Sequence, residues 1–267
     1  MNALSRLTIA CIATTSSIAV AETTHFTYSG EHGPANWSKL SPDFATCQAG
    51  KSQSPIDIAD TQDVELPPLD LDYSTLALNF VNNGHAVQAN YAAGSTLENE
   101  YHAEAPYRSH ETYAAGRSIN HLDATYELKQ FHFHSPSEHQ RNGKNMPAEI
   151  HFVHADDDGH LAVVAVFVTE GAAHSTISQL WGALPGKDGE SNELGTPISA
   201  SDLLPSAASY DFYQGSLTTP PCSEGVRWLV MKEPITMSPD QITALKNAIG
   251  FDNNRPVQPL NGRVVLE

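Results

Sequence analysis

Phe131-His132-Phe133-His134-Ser135-Pro136-Ser137-Glu138-His139, followed by Ala148-Glu149-Ile150-His151, is the stretch on which the reading of this chain turns. Side chains alternate faces along a strand, so His132 and His134 point one way and Phe131 and Phe133 the other. Extended back to Tyr126, the alternation places Tyr126, Leu128, Gln130, His132 and His134 on one face. Glu127, Lys129, Phe131 and Phe133 then take the opposite face. On the next strand Glu149, His151 and Val153 share a face. A lone strand histidine usually packs or hydrogen-bonds, but a same-face pair backed by two phenylalanines is harder to explain that way. With a third imidazole it makes the ligand set of a catalytic zinc site, which keeps one position open for water.

Metal-bound imidazoles need their second nitrogen held. Gln130 sits two residues before His132 on its face, and Glu149 two residues before His151, so each can hold its neighbour. Glu138 lies off the strand, where a carboxylate can orient a hydroxyl near the metal rather than ligate it. His25, His32, His102, His110, His121, His139, His154, His160 and His174 read as structural or surface histidines.

Outward from this cluster the pattern stays mostly β. Leu161-Ala162-Val163-Val164-Ala165-Val166-Phe167-Val168 is a continuous apolar run, which suits a strand buried on both faces. Asp156-Asp157-Asp158-Gly159 before it lacks the twelve-residue ligand spacing of a calcium loop and reads as a turn. Helices are few. Ser238-Pro239-Asp240-Gln241 supplies an N-cap, a first-turn proline and a capping-box glutamine, with Gly250 as the stop. Ser175 to Leu184 is a second candidate. Residues 99–118 are polar and interrupt the strand pattern, as a surface excursion would. No internal repeat or linker divides the chain.

The 267 residues carry 14 Lys+Arg against 31 Asp+Glu, a formal net charge of −17. So acidic a chain argues against nucleic acid or an anionic membrane as partner. Residues 1–21 read as a signal peptide: Arg6, the uncharged apolar run Leu7 to Val20, and Ala19-Val20-Ala21 before Glu22. The run is too short and too rich in Ser and Thr to span a membrane. Export implies a periplasmic or secreted protein. It leaves Cys47 and Cys222, and two cysteines in an oxidising compartment suggest one disulfide, with two free buried thiols as the alternative. Such a bridge closes a loop of about 175 residues, worth on the order of 5 kcal/mol on chain-entropy grounds.

Gln130 to His134 and Ala148 to His154 are accompanied by Gln53-Ser54-Pro55-Ile56-Asp57-Ile58 and Asn82-Asn83-Gly84-His85. Tyr213-Gln214-Gly215-Ser216-Leu217-Thr218-Thr219-Pro220-Pro221-Cys222 and Arg255-Pro256-Val257-Gln258-Pro259-Leu260-Asn261 complete the set. Together these motifs resemble the α-class carbonic anhydrases, in their bacterial branch, over nearly the whole mature chain.

The resemblance implies a mainly β (α+β) fold for residues 22–267. A single domain would form around a central, mostly antiparallel twisted sheet of about ten strands with a few peripheral helices, and 99–118 would be an insertion. It implies reversible hydration of carbon dioxide to bicarbonate by a zinc-bound hydroxide, with Zn²⁺ on His132, His134 and His151. Thr218 would link that hydroxide to Glu138. Val153, Val163, Leu217, Val226, Trp228 and Thr219 would line the substrate pocket. His85 would shuttle protons, through waters held by Tyr28 and Asn83. Cys47 and Cys222 match the family's disulfide, and a homodimer is among the family's arrangements.

Two other readings remain. His132-x-His134 with Glu138 four residues on mimics a cupin ligand motif, although no second cupin motif follows. A non-catalytic relative using the fold as a binding module is the other, although such relatives lose a zinc histidine and all three stand here.

Overall fold

The computed structural model describes residues 24–67, 69, 71, 73, 75, 76, 78–91 and 126–267. The leader at 1–21, the excursion at 99–118 and His102, His110 and His121 lie outside the described residues.

One large twisted sheet organises the protein. Its strands are β1 Thr61–Gln62, β2 Leu78–Asn82, β3 Val87–Tyr91, β4 Glu127–His134, β5 Ala148–Ala155, β6 Leu161–Glu170, β7 Ser191–Glu193, β8 Tyr210–Ser216, β9 Glu224–Met231, β10 Ile235–Met237 and β11 Val265–Leu266. They lie in the order β7-β2-β3-β4-β5-β6-β9-β8-β11-β1, with β10 alongside β6. Most neighbours are antiparallel; β6 with β9, β6 with β10 and β11 with β1 are parallel. The expected architecture, about ten strands with few helices, is the one observed.

The sheet buries both faces where β6 crosses its centre, as its continuous apolar run requires. Ala162, Val164, Val166 and Val168 enter the larger core. Val163, Ala165 and Phe167 enter a second cluster with Val226, Trp228 and Val230. The turn before β6 forms at Asp156 to Gly159: the Asp156 carboxylate accepts from the backbone N–H of Asp158 and His160, and Gly159 adopts φ +82°.

The alternation read for β4 needs one correction. Its register against β5 shifts between Leu128 and Gln130. Such a bulge inserts one residue and reverses which face each side chain takes. Tyr126 and Leu128 therefore lie in the same core as Phe131 and Phe133 rather than beside His132. Downstream of the bulge the alternation is regular, and His132 stands directly opposite His151 on β5.

The helix Pro239–Ile249 starts on the capping box expected of Ser238 and Gln241 and stops at Gly250, φ +82°. Ile242, Leu245, Ala248 and Ile249 pack it on the larger core. The second helix spans Ser175–Trp181, one turn shorter than read, because Gly182 caps it. Beyond Gly250, Asn253 and Arg255 are buried, and Asn253 is hydrogen-bonded to the end of β4 at Phe133 and His134.

Candidate metal centre and active site

One nitrogen from each of His132, His134 and His151 lies within 4.8 Å of the others. The ring centroids of His134 and His151 are 4.5 Å apart, and His132 lies 5.0 Å from His134 and 5.2 Å from His151. Each imidazole has its other nitrogen engaged. His132 Nδ1 is 2.9 Å from Gln130 Oε1. His134 Nδ1 donates to the Asn253 carbonyl at 2.7 Å. His151 Nε2 is 2.9 Å from Glu149 Oε1. That leaves Nε2 of His132, Nε2 of His134 and Nδ1 of His151 as the three facing atoms.

The donor set fits a metal cation. His134 Nε2 is buried and has no hydrogen-bond partner among the described residues, and the same holds for Glu138 Oε2, 3.5 Å away. Orphaned buried polar atoms are costly, so two converging on one spot mark a place where something else satisfies them. His132 and His134 are also biased toward the neutral form. Burial, then the neighbouring His134 and His151, hold the His132 pKa well below 6.5. Burial also lowers the His134 pKa, against the opposing charge of Glu138. Ligand histidines must be neutral.

Beneath the ligands lies a fully buried polar chain. Glu149 Oε2 accepts from the backbone N–H of Glu138 and His139, both at 2.8 Å. Its Oε1 also meets His139 Nδ1 at 2.6 Å. His139 Nε2 continues to Tyr213 Oη at 2.6 Å, and Tyr213 to Ser54 Oγ at 2.9 Å. Burial alone would raise the Glu149 carboxyl, but His139 and His151 and their hydrogen bonds hold it well below 4.5. The other oxygen of Glu138, Oε1, accepts the backbone N–H of Arg255 at 2.9 Å.

The histidines close the floor of a cleft of ≈ 290 Å³. One wall is apolar, made by Val153, Val163, Leu217 and Trp228, with Thr218 and Thr219 beside them. Val226, expected on that wall, does not line the cleft. It is buried in the cluster that contains Trp228. The opposite rim carries Phe26, Tyr28, Asn83 and His85. The His85 ring stacks on Phe26, 3.9 Å between centroids and 6° from parallel. Burial, then His25, lower the His85 pKa below 6.5, while Asp188 opposes them. Asn83 lines the cleft and turns its Oδ1 onto the backbone N–H of His85 and Ala86. Its type of turn, carbonyl oxygen to the amide two residues on, is the usual use of asparagine here.

Cys47 and Cys222 form a disulfide with Cα atoms 5.0 Å apart. It packs beside Trp37, and Cys222 closes the turn that follows Thr218. Among the described residues no helix is long and apolar enough to cross a membrane.

The Eukaryotic-type carbonic anhydrase family model matches residues 32–267. The chain belongs to the eukaryotic-type, or α-class, carbonic anhydrase family. A carbonic anhydrase of Pectobacterium atrosepticum is 40% identical, over 94% of this chain and 93% of that protein. The α-carbonic anhydrase of Thermovibrio ammonificans, solved with the inhibitor sulfanilamide, is 41% identical. It superposes with a TM-score of 0.81, covering 92% of this chain and all of that one. A dioscorin of Dioscorea japonica is 33% identical over 88% of this chain and 82% of its own. The chain is thus a carbonic anhydrase-type enzyme acting on carbon dioxide and bicarbonate, and the cupin reading has no further support.

Asn253, Arg255, His139 and Tyr213 are the site's contributors that the sequence reading left without a role. His139 carried a faint signal, adjacent to Glu138 in the ligand motif. Asn253 carried none, because its partners His134 and Ser135 lie more than a hundred residues away in the sequence.

Proposed function

We propose that His132 Nε2, His134 Nε2 and His151 Nδ1 hold one Zn²⁺ and that the cleft above them hydrates carbon dioxide to bicarbonate and a proton. The observation that carries this is the pairing of nitrogens: every imidazole has one held by a protein oxygen and one turned to a common point. Three neutral nitrogen donors with room for a fourth ligand suit zinc. When bound, the ion supplies a Lewis acid; the pKa of about 7 that it gives water is a property measured on carbonic anhydrases themselves.

The protein's own groups do the rest. Glu138 Oε2 offers a free acceptor for the Thr218 hydroxyl, which in turn accepts from the attacking oxygen and aims its lone pair. Val153, Val163, Leu217 and Trp228 hold apolar carbon dioxide against that oxygen, and the Thr218 backbone N–H meets a substrate oxygen; Thr219 completes the wall. His85, with Tyr28 at the same rim, passes the released proton to solvent. Histidine suits the task because its pKa lies near the working pH. The buried disulfide accords with an oxidising compartment. With a leader at 1–21 it supports export to the periplasm or beyond.

The test is stopped-flow carbon dioxide hydration with metal analysis on the same sample, for the wild type and His134→Ala. The expected result is one zinc per chain and rapid hydration, both lost in the variant. Full activity without that histidine would sink the assignment.

A further inference from the structure

We propose that Asn253 is a positioning residue that couples the ligand histidine His134 to the turn carrying His85. It holds the proton acceptor at a set place relative to the metal ligands. The proposal rests on His85 being the proton shuttle.

The Asn253 side chain is fully buried. Its Nδ2 donates to two carbonyls, those of His85 and Phe133, each at 3.0 Å. Its Oδ1 accepts the Ser135 N–H at 2.8 Å. Its own backbone carbonyl accepts from His134 Nδ1 at 2.7 Å. One residue thus grips β4 on both sides of His134, holds the imidazole between, and reaches across to the His85 turn.

The chemistry admits few substitutes. Two carbonyl acceptors and one N–H donor face the side chain, so it must offer two donors and an acceptor in a plane, which a primary amide does. The opposite amide orientation would set Oδ1 against two carbonyls. A carboxylate would do the same with a charge.

The His85 side of the contact is equally specific. Asn83 Oδ1 takes the N–H of His85 at 3.0 Å and of Ala86 at 2.8 Å. Asn253 takes the carbonyl of His85. The residue is therefore clamped through both its backbone groups, each by a side-chain amide, while Phe26 stacks on its ring. Without Nδ2 the turn keeps its local bonds but loses this tie to the ligand strand. Misplacement of a catalytic group by about 1 Å can cost as much as about 100-fold in rate.

The experiment compares wild type, His85→Ala and Asn253→Asp in a bulky buffer, with and without added imidazole. The kcat value includes regeneration of the site, whereas kcat/KM reports the steps through hydration. For Asn253→Asp, kcat should fall about tenfold more than kcat/KM, and imidazole should restore it. Amide hydrogen exchange should quicken about tenfold in residues 83–87 and stay unchanged in 148–155, a readout independent of turnover. Equal losses in kcat and kcat/KM, no rescue, and uniform faster exchange would overturn the coupling and leave Asn253 a merely structural residue. His85→Ala separates the two layers. If it shows no kcat-specific, imidazole-rescued loss, the shuttle reading fails and the coupling falls with it. If it shows that loss and Asn253→Asp does not, the coupling alone fails. Should Asn253→Asp not fold, Asn253→Ser, too short to reach the His85 carbonyl, is judged by the same criteria.

Discussion

Glu149 Oε1 lies 2.9 Å from His151 Nε2, two residues further along the same strand. The alternation of β5 makes this contact inevitable once both residues share a face. The carboxylate is spoken for on every side, by His139 and by two backbone amides. A neutral amide cannot replace it, since its NH₂ end would meet N–H donors. Glu149→Gln is expected to weaken zinc binding about 10–100-fold, a typical cost of losing such a partner. Competition with a chromogenic chelator measures this, and an unchanged dissociation constant would count against the arrangement.

Proton transfer should titrate with His85. Its pKa is held below 6.5, chiefly by burial. A shuttle accepts a proton only when neutral, so kcat for hydration should rise with pH through a midpoint under 6.5. In His85→Ala that inflection should vanish from the kcat profile. Its persistence would place the shuttle on another group.

Stability should fall in mild acid because of His154. Buried on β5, its Nε2 meets Tyr73 Oη at 2.9 Å and its Nδ1 meets the Ala162 carbonyl at 3.3 Å, a neutral ring's pattern. Burial lowers its pKa from 6.5 to about 4. Between those values the unfolded chain binds the proton and the folded one does not. Stability is therefore complete above 6.5, declines as pH falls, and levels off below about 4. The full effect is roughly 3 kcal/mol. Urea unfolding from pH 7 to pH 4 should show a shallower decline for His154→Gln than for wild type. Parallel curves would refute the assignment.

The disulfide should resist titration and matter for stability. Thiol reagent added to the denatured, unreduced mature protein should find Cys47 and Cys222 unreactive. Replacing both by serine should cost several kcal/mol, up to about 5 for so long a loop. Two reactive thiols, or an unchanged unfolding midpoint in the double variant, would contradict this.

Much of this molecule was legible because its information is local. The His132 and His134 pair, the partners Gln130 and Glu149, and the helix at Ser238 all follow from spacings of two or three residues. One error arose where a strand departs from its period. The bulge at Leu128 and Gln130 adds one residue with no signature in composition, and it moved Tyr126 and Leu128 to the other face. Val226 shares a strand face with Trp228 but is not among the residues that line the cleft. The roles of Asn253 and Arg255 could not be read: their partners lie more than a hundred residues away, and backbone atoms carry part of the contact.

That separation has a consequence in time. The three histidines are made within a span of 20 residues, positions 132 to 151. The carbonyl that holds His134 is made 119 residues after it, and the amide that holds Glu138 follows its partner by 117. At about 5–20 residues per second, His134 exists for roughly ten seconds before the carbonyl that orients it does. The emerging chain therefore carries all three imidazoles before His134 is locked, and the geometry of the cluster is completed last, by the segment around Asn253.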